Sequence, residues 1–219
     1  YLGGISPKEK NISEHLSSRI EVGKILSKSL PTTELRAGPI IGSGSASFEM
    51  LRHLSEKLPI MVAPKWINNI VRPISVRDVL KYLVLSLDKK PCLKIDIGSD
   101  PMSFKDLMLK YCDYRGLKRY IFPVPILAPG LAARWIGLVT PITNSLASPI
   151  VKSVINNIEG DISLALSHYP EIKTLNYTDS IKSAFDKTKK EFIETSWNRQ
   201  KIKFDYRLSQ QRGRFEEIR

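Results

Sequence analysis

Apolar and polar residues follow two spacings along the chain, one typical of helices and one typical of short strands. Helical spacing predicts helices over about 14–29, 48–59, 76–87, 104–115 and 179–195. Ser13, Ser75 and Ser103 stand at three of the helix starts as N-caps, and Gly116 stands where a helix ends. Short apolar runs predict strands at 1–5, 35–41, 60–62, 69–76, 94–98 and 120–125.

The first three predicted elements are a strand, a helix and a second strand. This order predicts a right-handed crossover between parallel strands, and therefore an α/β fold with a parallel sheet. After Gly160 the sequence becomes more charged, and we expect a boundary near 160–177. The predicted division is a first domain over 1–160 and a helical linker with a basic tail over 161–219, which is a candidate for the start of a further domain.

The stretch from Thr33 to Ser47 begins as a buried strand and breaks at two glycines. Gly42-Ser43-Gly44 is similar to a phosphate-cradling loop, because glycines let backbone N–H groups approach an anion at a helix N-terminus. The dinucleotide fingerprint requires a third glycine where Ser47 stands, and no acidic residue follows at the expected distance. We therefore interpret the loop as a strand-to-helix turn at the carboxyl edge of a sheet.

The composition indicates a protein with one sizeable core, or one core and a small second lobe. Of its 219 residues, 42% are hydrophobic. Cys92 and Cys112 lie in separate apolar segments without the spacing of metal ligands, so we expect reduced cysteines, no bound metal and a cytoplasmic location. No apolar run is long enough for a membrane span.

The net charge of +12 raises the question of nucleic-acid binding. The basic residues are spread along the whole chain, mostly as lysines on predicted helix faces, and the densest group lies over 199–219. Aromatic residues are sparse there and no nucleic-acid motif is present. We therefore expect a lysine-rich surface that attracts anions weakly, and no nucleic-acid partner.

Residues 125–155 are the most hydrophobic part of the sequence. They predict helices over about 127–138 and 147–157, on either side of Pro141, which we interpret as core helices. An alternative is an exposed apolar patch formed by Trp135, Ile136, Leu138 and Val139. With the surrounding lysines, that patch would favour a peripheral contact with a membrane or a quinone-associated site.

Five segments together carry a resemblance to a known family. They are YLGG (1–4), HLSSRIEVG (15–23), LRAGPIIGSG (35–44), RPISVRDV (72–79) and DIG (96–98). In order and spacing, over about residues 1–125, they resemble the second half of the extended short-chain dehydrogenase/reductase family. They are most similar to its atypical NAD(P)-binding branch, which is nucleoside-diphosphate-sugar epimerase-like. The resemblance implies a partial Rossmann-like parallel sheet with a substrate-side α/β lobe and C-terminal helices.

The resemblance also implies candidate catalytic residues. In that family the first strand here carries a serine or threonine, and the next helix carries Tyr-x-x-x-Lys. The tyrosine exchanges a proton with the substrate, and the lysine lowers its pKa and holds the nicotinamide ribose. Here the serine position falls on Gly3 or Gly4, the tyrosine on His15 and the lysine on Arg19. His15 would then be an acid or base beside the cofactor. Considered alone, it is a capping or surface histidine. Arg19 would bind ribose or phosphate, but it is too basic to relay protons.

The strand over 35–41 resembles the family's Leu-Arg-Pro-x-x-Val-Tyr-Gly segment, whose backbone passes the nicotinamide. This implies that the cofactor contacts Gly3, Gly4, Arg36, Ala37, Gly38 and Ile40, besides His15 and Arg19. An alternative for Arg36 is a salt bridge inside the fold, and we interpret Asp78 as capping or pairing locally. The substrate pocket is expected between Gly42–Phe48, Trp66 and the apolar helices that follow Pro125. Its candidate residues are Gly42, Ser43, Phe48 and Trp66.

The implied function is that of an NAD- or NADP-binding protein, acting as an oxidoreductase or epimerase on a small or lipophilic carbonyl substrate. The family's glycine-rich loop and acidic ribose ligand lie before its catalytic serine. We therefore expect this chain to be a fragment or a truncated form, and expect an upstream segment to complete the nucleotide site. Because Gly, His and Arg replace Ser, Tyr and Lys, a non-catalytic cofactor-sensing or scaffolding protein is the alternative.

Overall fold

The computed structural model describes residues 1–7, 12–92, 94–124, 148, 151–152 and 155–189. Its strands are β1 (Leu2–Gly4), β2 (Leu35–Ala37), β3 (Ile40–Ile41), β4 (Ile60–Pro64), β5 (Ile70–Val71), β6 (Ile74–Ser75), β7 (Ile95–Ile97), β8 (Met102–Ser103) and β9 (Tyr120–Val124). Its helices are α1 (Glu14–Ser29), α2 (Ala46–Lys57), α3 (Val76–Leu85), α4 (Phe104–Arg115), α5 (Ser163–His168) and α6 (Tyr177–Lys189), with a 3-10 turn at Lys65–Asn68.

The central sheet has the order β1-β2-β7, and all of its strands are parallel. Helix α1 lies between β1 and β2 along the chain, which confirms the predicted parallel pairing and the α/β fold class. Two further pairs are also parallel, β3 with β6 and β4 with β9, whereas β5 pairs with β8 in the antiparallel sense. These pairs extend the fold beyond the central sheet, as expected for an additional α/β lobe.

The predicted continuous strands over 35–41 and 69–76 are wrong. Each is broken in two, the first at Gly38 and Pro39 and the second at Arg72 and Pro73. Proline has no N–H to donate to a strand ladder, so pairing stops there. The backbones also meet at these breaks, because the N–H of Ile74 donates to the carbonyl oxygen of Pro39 at 3.1 Å.

The predicted helix ends are largely confirmed. The hydroxyls of Ser13, Ser75 and Ser103 accept backbone hydrogen bonds at the starts of α1, α3 and α4. Gly116 ends α4 with φ of 65°, in the left-handed region that glycine adopts without strain. Helix α6 begins at Tyr177, slightly before the predicted start, because Asn176 Oδ1 accepts from the N–H of Asp179 at 2.9 Å.

Two hydrophobic cores hold the elements together. The first lies among α2, α4 and α6 and includes Phe48, Leu107, Tyr111 and Ile181. The second lies between the central sheet and helices α3 and α5, and includes Ile95, Tyr82 and Tyr169. Residues on both sides of the predicted boundary contribute to each core, and the division near residue 160 stays a prediction.

The predicted helices over 127–138 and 147–157 fall mostly outside the described residues, as do the Trp135–Val139 patch and the basic stretch over 199–219. Among the described residues, no helix is both long enough and apolar enough to cross a bilayer.

Candidate functional site

The carboxyl edge of the central sheet is the part of this fold where a ligand is expected. Because β1, β2 and β7 are parallel, they end at the same edge, with Gly4, Ala37 and Ile97 as their last residues. Open parallel sheets bind ligands outside this edge. A Cβ added to Gly4 would lie 3.1 Å from Cδ1 of Leu16, so the first turn of α1 packs against the end of β1.

His15 and Arg19 lie one helical turn apart on α1, and both are exposed. Arg19 Nη1 donates to the carbonyl oxygen of Leu2 at 3.1 Å, and the hydroxyl of Tyr1 donates to the carbonyl oxygen of Arg19 at 3.1 Å. These two bonds fix α1 alongside β1. The structure therefore places Arg19 next to β1, with His15 one turn earlier on the same helix.

The charge on Arg19 changes the chemistry available to His15. Partial burial lowers the pKa of His15 below its ordinary value of 6.5, and the nearby Arg19 guanidinium lowers it further. At neutral pH the imidazole is therefore mostly uncharged. It can accept a proton or donate a hydrogen bond from one ring nitrogen, but it is a poor source of a proton.

A side chain at Gly3 or Gly4 would displace the end of a neighbouring side chain. A Cβ added to Gly3 would lie 2.8 Å from Oε1 of Glu34, and at Gly4 it would meet Leu16 at 3.1 Å. A hydroxyl at either position would require Glu34 or Leu16 to move. The structure thus supplies a steric reason for the glycines at the place where the resemblance implies a catalytic hydroxyl.

Glu34 is a buried carboxyl group that the sequence interpretation missed. It is only 3% exposed and lies between β1 and α1, where a Cβ at Gly23 would approach its Cδ within 2.8 Å. Burial raises the pKa of Glu34, and the charges of Arg36 and Lys94 oppose that rise. The available sequence signal was a glycine inside a helix together with an acidic residue directly before a buried strand.

Arg36 is tied to an acidic residue on the neighbouring strand. Its Nε donates to Oδ1 of Asp96 at 2.6 Å, and the two residues are paired in the register of β2 and β7. Oδ2 of Asp96 accepts from the N–H of Asp161 at 3.0 Å. The internal salt bridge that we considered for Arg36 is therefore present, and a cofactor contact for this residue stays a prediction.

Arg72 covers the carboxyl ends of β2 and β7, and the sequence interpretation gave it no role. A Cβ at Gly38 would lie 2.2 Å from the Arg72 carbonyl oxygen, and one at Gly98 would lie 2.3 Å from its Cγ. Its Nε donates to the carbonyl oxygen of Glu159 at 2.8 Å, and its Nη1 to that of Ser99 at 2.7 Å. The lack of a side chain at Gly38 thus lets the backbone of Arg72 pass close by. Arg72 covers the carboxyl edge of the sheet at β2 and β7.

The remaining predicted cofactor residues lie around this crossing. Ala37 is buried in the second core and Ile40 is half-buried against it.

Asp78 pairs locally, as predicted, since its Oδ1 accepts from Lys81 Nζ at 2.8 Å. Its Oδ2 accepts from the N–H of Leu175 at 2.7 Å, which also ties α3 to the segment before α6.

In the glycine loop before α2, the backbone N–H groups of Gly44 and Ser45 already have hydrogen-bond acceptors nearby. The N–H of Gly44 donates to Oε1 of Glu49 at 3.1 Å, and the hydroxyl of Ser45 caps the helix by accepting from the N–H of Phe48 at 3.3 Å. The Glu49 carboxylate thus serves the helix start that a phosphate would occupy. This supports the interpretation of the loop as a turn.

Three of the predicted substrate residues pack in or against the hydrophobic interior. Gly42 is buried where a Cβ would approach Val76 Cγ1 within 2.7 Å. Phe48 is 2% exposed in the first core, with its ring edge-on to Tyr111 at 6.0 Å between centroids. Trp66 is half-buried against the same core, and its Nε1 has no hydrogen-bond partner among the described residues. Ser43 is half-buried in the turn that follows β3.

The structure therefore separates the predicted site into two groups. Gly3, Gly4, His15 and Arg19 lie along β1 and α1, whereas Phe48 and Trp66 belong to the first core. The substrate role of the second group stays a prediction.

Solved structures with this architecture bind NAD. UDP-glucuronic acid 4-epimerase from Bacillus cereus, in complex with UDP-glucuronic acid and NAD, is 14% identical with a TM-score of 0.55, over 88% of this chain and 60% of that chain. The Bordetella bronchiseptica enzyme WbmG, in complex with NAD, is 13% identical with a TM-score of 0.60, over 89% and 59%.

A nucleoside-diphosphate-sugar epimerase from Staphylococcus aureus is 12% identical with a TM-score of 0.61, over 83% of this chain and 63% of that chain. Neither a protein-family model nor a curated protein matches the chain. The chain spans 59% to 63% of the length of these three solved structures. These likenesses show the class of fold: the Rossmann-like α/β fold that the sequence predicts.

Proposed function

We propose that the intact protein binds NAD or NADP and acts as an oxidoreductase or epimerase on a small or lipophilic carbonyl or alcohol substrate. One observation carries this proposal. His15 lies in the first turn of α1, next to Leu16, which packs against Gly4 at the carboxyl end of β1. Arg19 lies one turn further along α1 and binds the carbonyl oxygen of Leu2. In a fold whose solved examples hold NAD, the carboxyl ends of the strands are where a ligand is expected.

In this proposal His15 is the proton-transfer group. The lowered pKa of His15, caused by partial burial and by Arg19, keeps the imidazole neutral and ready to accept a proton from a substrate hydroxyl. The bound nicotinamide would accept the hydride from the same substrate. Removal of the hydroxyl proton by His15 would therefore favour the oxidative direction.

Arg19 has a binding role in this proposal. Its guanidinium is a planar set of hydrogen-bond donors that is exposed beside β1, with one nitrogen directed to Leu2. It therefore suits the hydroxyls or phosphates of a nucleotide. Arg36 is a weaker candidate, because its Nε already binds Asp96.

Thermal denaturation of the full-length protein with NADH or NADPH tests cofactor binding. We expect a rise in melting temperature with at least one of them, because a ligand that binds only the folded state stabilises it. Arg19→Gln should reduce the rise, whereas Arg77→Gln, an exposed arginine on α3, should not. No rise with either cofactor would contradict the proposal.

A non-catalytic cofactor-sensing or scaffolding protein is the second candidate. It is favoured by the positions of Gly3 and Gly4, where Glu34 and Leu16 take the space of a catalytic hydroxyl. His15→Ala separates the two functions once a turnover assay exists. Loss of turnover with retained cofactor binding supports the enzyme, with His53→Ala on α2 as the control histidine. Unchanged cellular function and cofactor binding in His15→Ala support the scaffold.

A further inference from the structure

The β4–β9 pair presents large apolar side chains on both of its sides. Strand residues point alternately to opposite sides. On one side, Met61, Ala63 and Ile121 are buried in the first core. On the other side lie Ile60, Val62, Tyr120 and Phe122, which are 63%, 52%, 61% and 55% exposed. We call these four residues the outer face.

The register makes the outer face one continuous surface. Ile60 lies opposite Tyr120 and Val62 lies opposite Phe122. The side chains of such cross-strand pairs are in contact range, so the four form a block of two aliphatic and two aromatic groups. Parallel strands such as β4 and β9 are normally apolar on both faces and covered by other elements on both. A contiguous apolar block in that position marks an interaction surface.

The charged residues that flank β4 and β9 along the chain are mostly basic, and the acidic Glu56 near their start is paired with Arg115. No Asp or Glu occurs between Glu56 and Asp78, or between Asp113 and Glu159, and these two stretches contain β4 and β9. Lys65 directly follows β4, and Lys118 lies two residues before β9; both are exposed. The outer face is therefore an apolar block with lysines at its rim, in a chain of net charge +12.

This combination distinguishes the outer face from the exposed apolar residues at the end of α3. Val84 on α3 and Leu87 just after it are 62% and 83% exposed, but Asp88 directly follows Leu87. Two copies of the outer face would bring lysine rims of like charge together, which opposes self-association. A partner surface that is negatively charged, with an apolar layer beneath the charge, matches both the lysines and the apolar side chains of the outer face.

We propose that the outer face docks on an anionic lipid bilayer. The aliphatic and aromatic side chains would enter the boundary between headgroups and acyl chains, with the Tyr120 hydroxyl at the level of the headgroups. Lys65 and Lys118 would contact the anionic headgroups. The protein would lie on the membrane surface, and this surface is separate from the β1–α1 site.

Flotation of the full-length protein with lipid vesicles tests the proposal. We expect the protein to float with vesicles that contain phosphatidylglycerol, much less with phosphatidylcholine alone, and less as salt is raised. The double variant Val62→Ser/Phe122→Ser should lower the partition coefficient about tenfold or more, because two apolar side chains lose their burial. Val84→Ser/Leu87→Ser, at the end of α3 and just after it, is the matched control and should float like the wild type.

A second pair of variants tests the charge. Lys65→Gln/Lys118→Gln should lower partitioning to anionic vesicles by about tenfold or more, since each lysine near such a surface contributes about fivefold. Lys24→Gln/Lys28→Gln, two exposed lysines on α1, should have a clearly smaller effect. Equal losses for the two pairs would show a general attraction of the basic chain and would overturn the docking surface.

Three further results would overturn the proposal. The first is failure of the protein to float with anionic vesicles. The second is a dimer in sedimentation that Val62→Ser/Phe122→Ser dissociates, because a second copy would then cover the face. The third is a loss of melting temperature in this variant as large as that of Met61→Ala in the first core. That result would show that the chain itself covers the face.

Discussion

Nε of Arg36 donates a 2.6 Å hydrogen bond to Oδ1 of Asp96, directly across the neighbouring strands β2 and β7. The same carboxylate accepts from the backbone of Asp161, so it joins two strands and the segment that leads into α5. The side chain of Asp96 is 8% exposed and that of Arg36 is 22% exposed. Asp96 thus has a structural role that the sequence did not reveal.

We predict that Asp96→Asn destabilises the protein by about 2–3 kcal/mol, because it leaves a partly buried guanidinium without its counter-charge. The value is below that for a fully buried pair, since Arg36 retains some contact with water. Urea denaturation measures the loss. Asp88→Asn, at an exposed acidic residue, should change the free energy of unfolding by less than about 0.5 kcal/mol. Equal stability of both variants would contradict a structural role for the pair.

Gly38→Ala should be among the most damaging small substitutions in this chain. The added Cβ would lie 2.2 Å from the carbonyl oxygen of Arg72, a backbone atom that cannot rotate away. We expect a loss of about 3 kcal/mol or more. Gly116→Ala is the control: it meets no atom within 4 Å and costs only the left-handed backbone strain, about 1 kcal/mol. The two melting temperatures should therefore differ clearly, with Gly38→Ala the lower.

Glu34→Gln should stabilise the protein at neutral pH. Because burial raises the pKa of Glu34 above its ordinary value of 4.5, the folded state binds the proton more tightly than the unfolded state. Wild-type stability therefore falls as pH rises from 4.5 through the raised pKa. The variant lacks this contribution, so its advantage should appear above that window and vanish in acid.

Melting temperatures measured from acidic to neutral pH check this prediction. Glu21→Gln, at an exposed residue of α1, should follow the wild-type profile. A wild-type and Glu34→Gln difference that does not change with pH would show that titration of Glu34 is not its cause.

The imidazole of His15 should titrate below its ordinary pKa of 6.5, because of partial burial first and the Arg19 charge second. Arg19→Gln should move the His15 midpoint upward in an NMR titration, while Lys24→Gln should leave it nearly unchanged. A lowered pKa means that the folded state resists protonation, so this contribution to stability is lost as pH falls through 6.5. An unchanged midpoint in Arg19→Gln would remove the proposed electrostatic coupling.

The sequence alone determined the features that depend on local chemistry. Ser13, Ser75 and Ser103 accept hydrogen bonds from their own helix starts, and Gly116 adopts a left-handed conformation that few other residues tolerate. The strand-helix-strand order likewise predicted the parallel pairing of β1 and β2, because the connection has few other ways to pack. The family resemblance predicted the fold that the solved structures share.

Only the tertiary structure decided the features that depend on two distant segments. Gly38 breaks the predicted strand because Arg72 crosses there, and the burial of Glu34 depends on Gly3 and Gly23 together. Phe48 has a helical spacing that fits either a pocket or a core, and its contact with Tyr111 settles its position in the core. In β4 and β9 the sequence does not alternate between polar and apolar residues, so it could not predict which side faces solvent. That choice depends on what packs beneath the sheet.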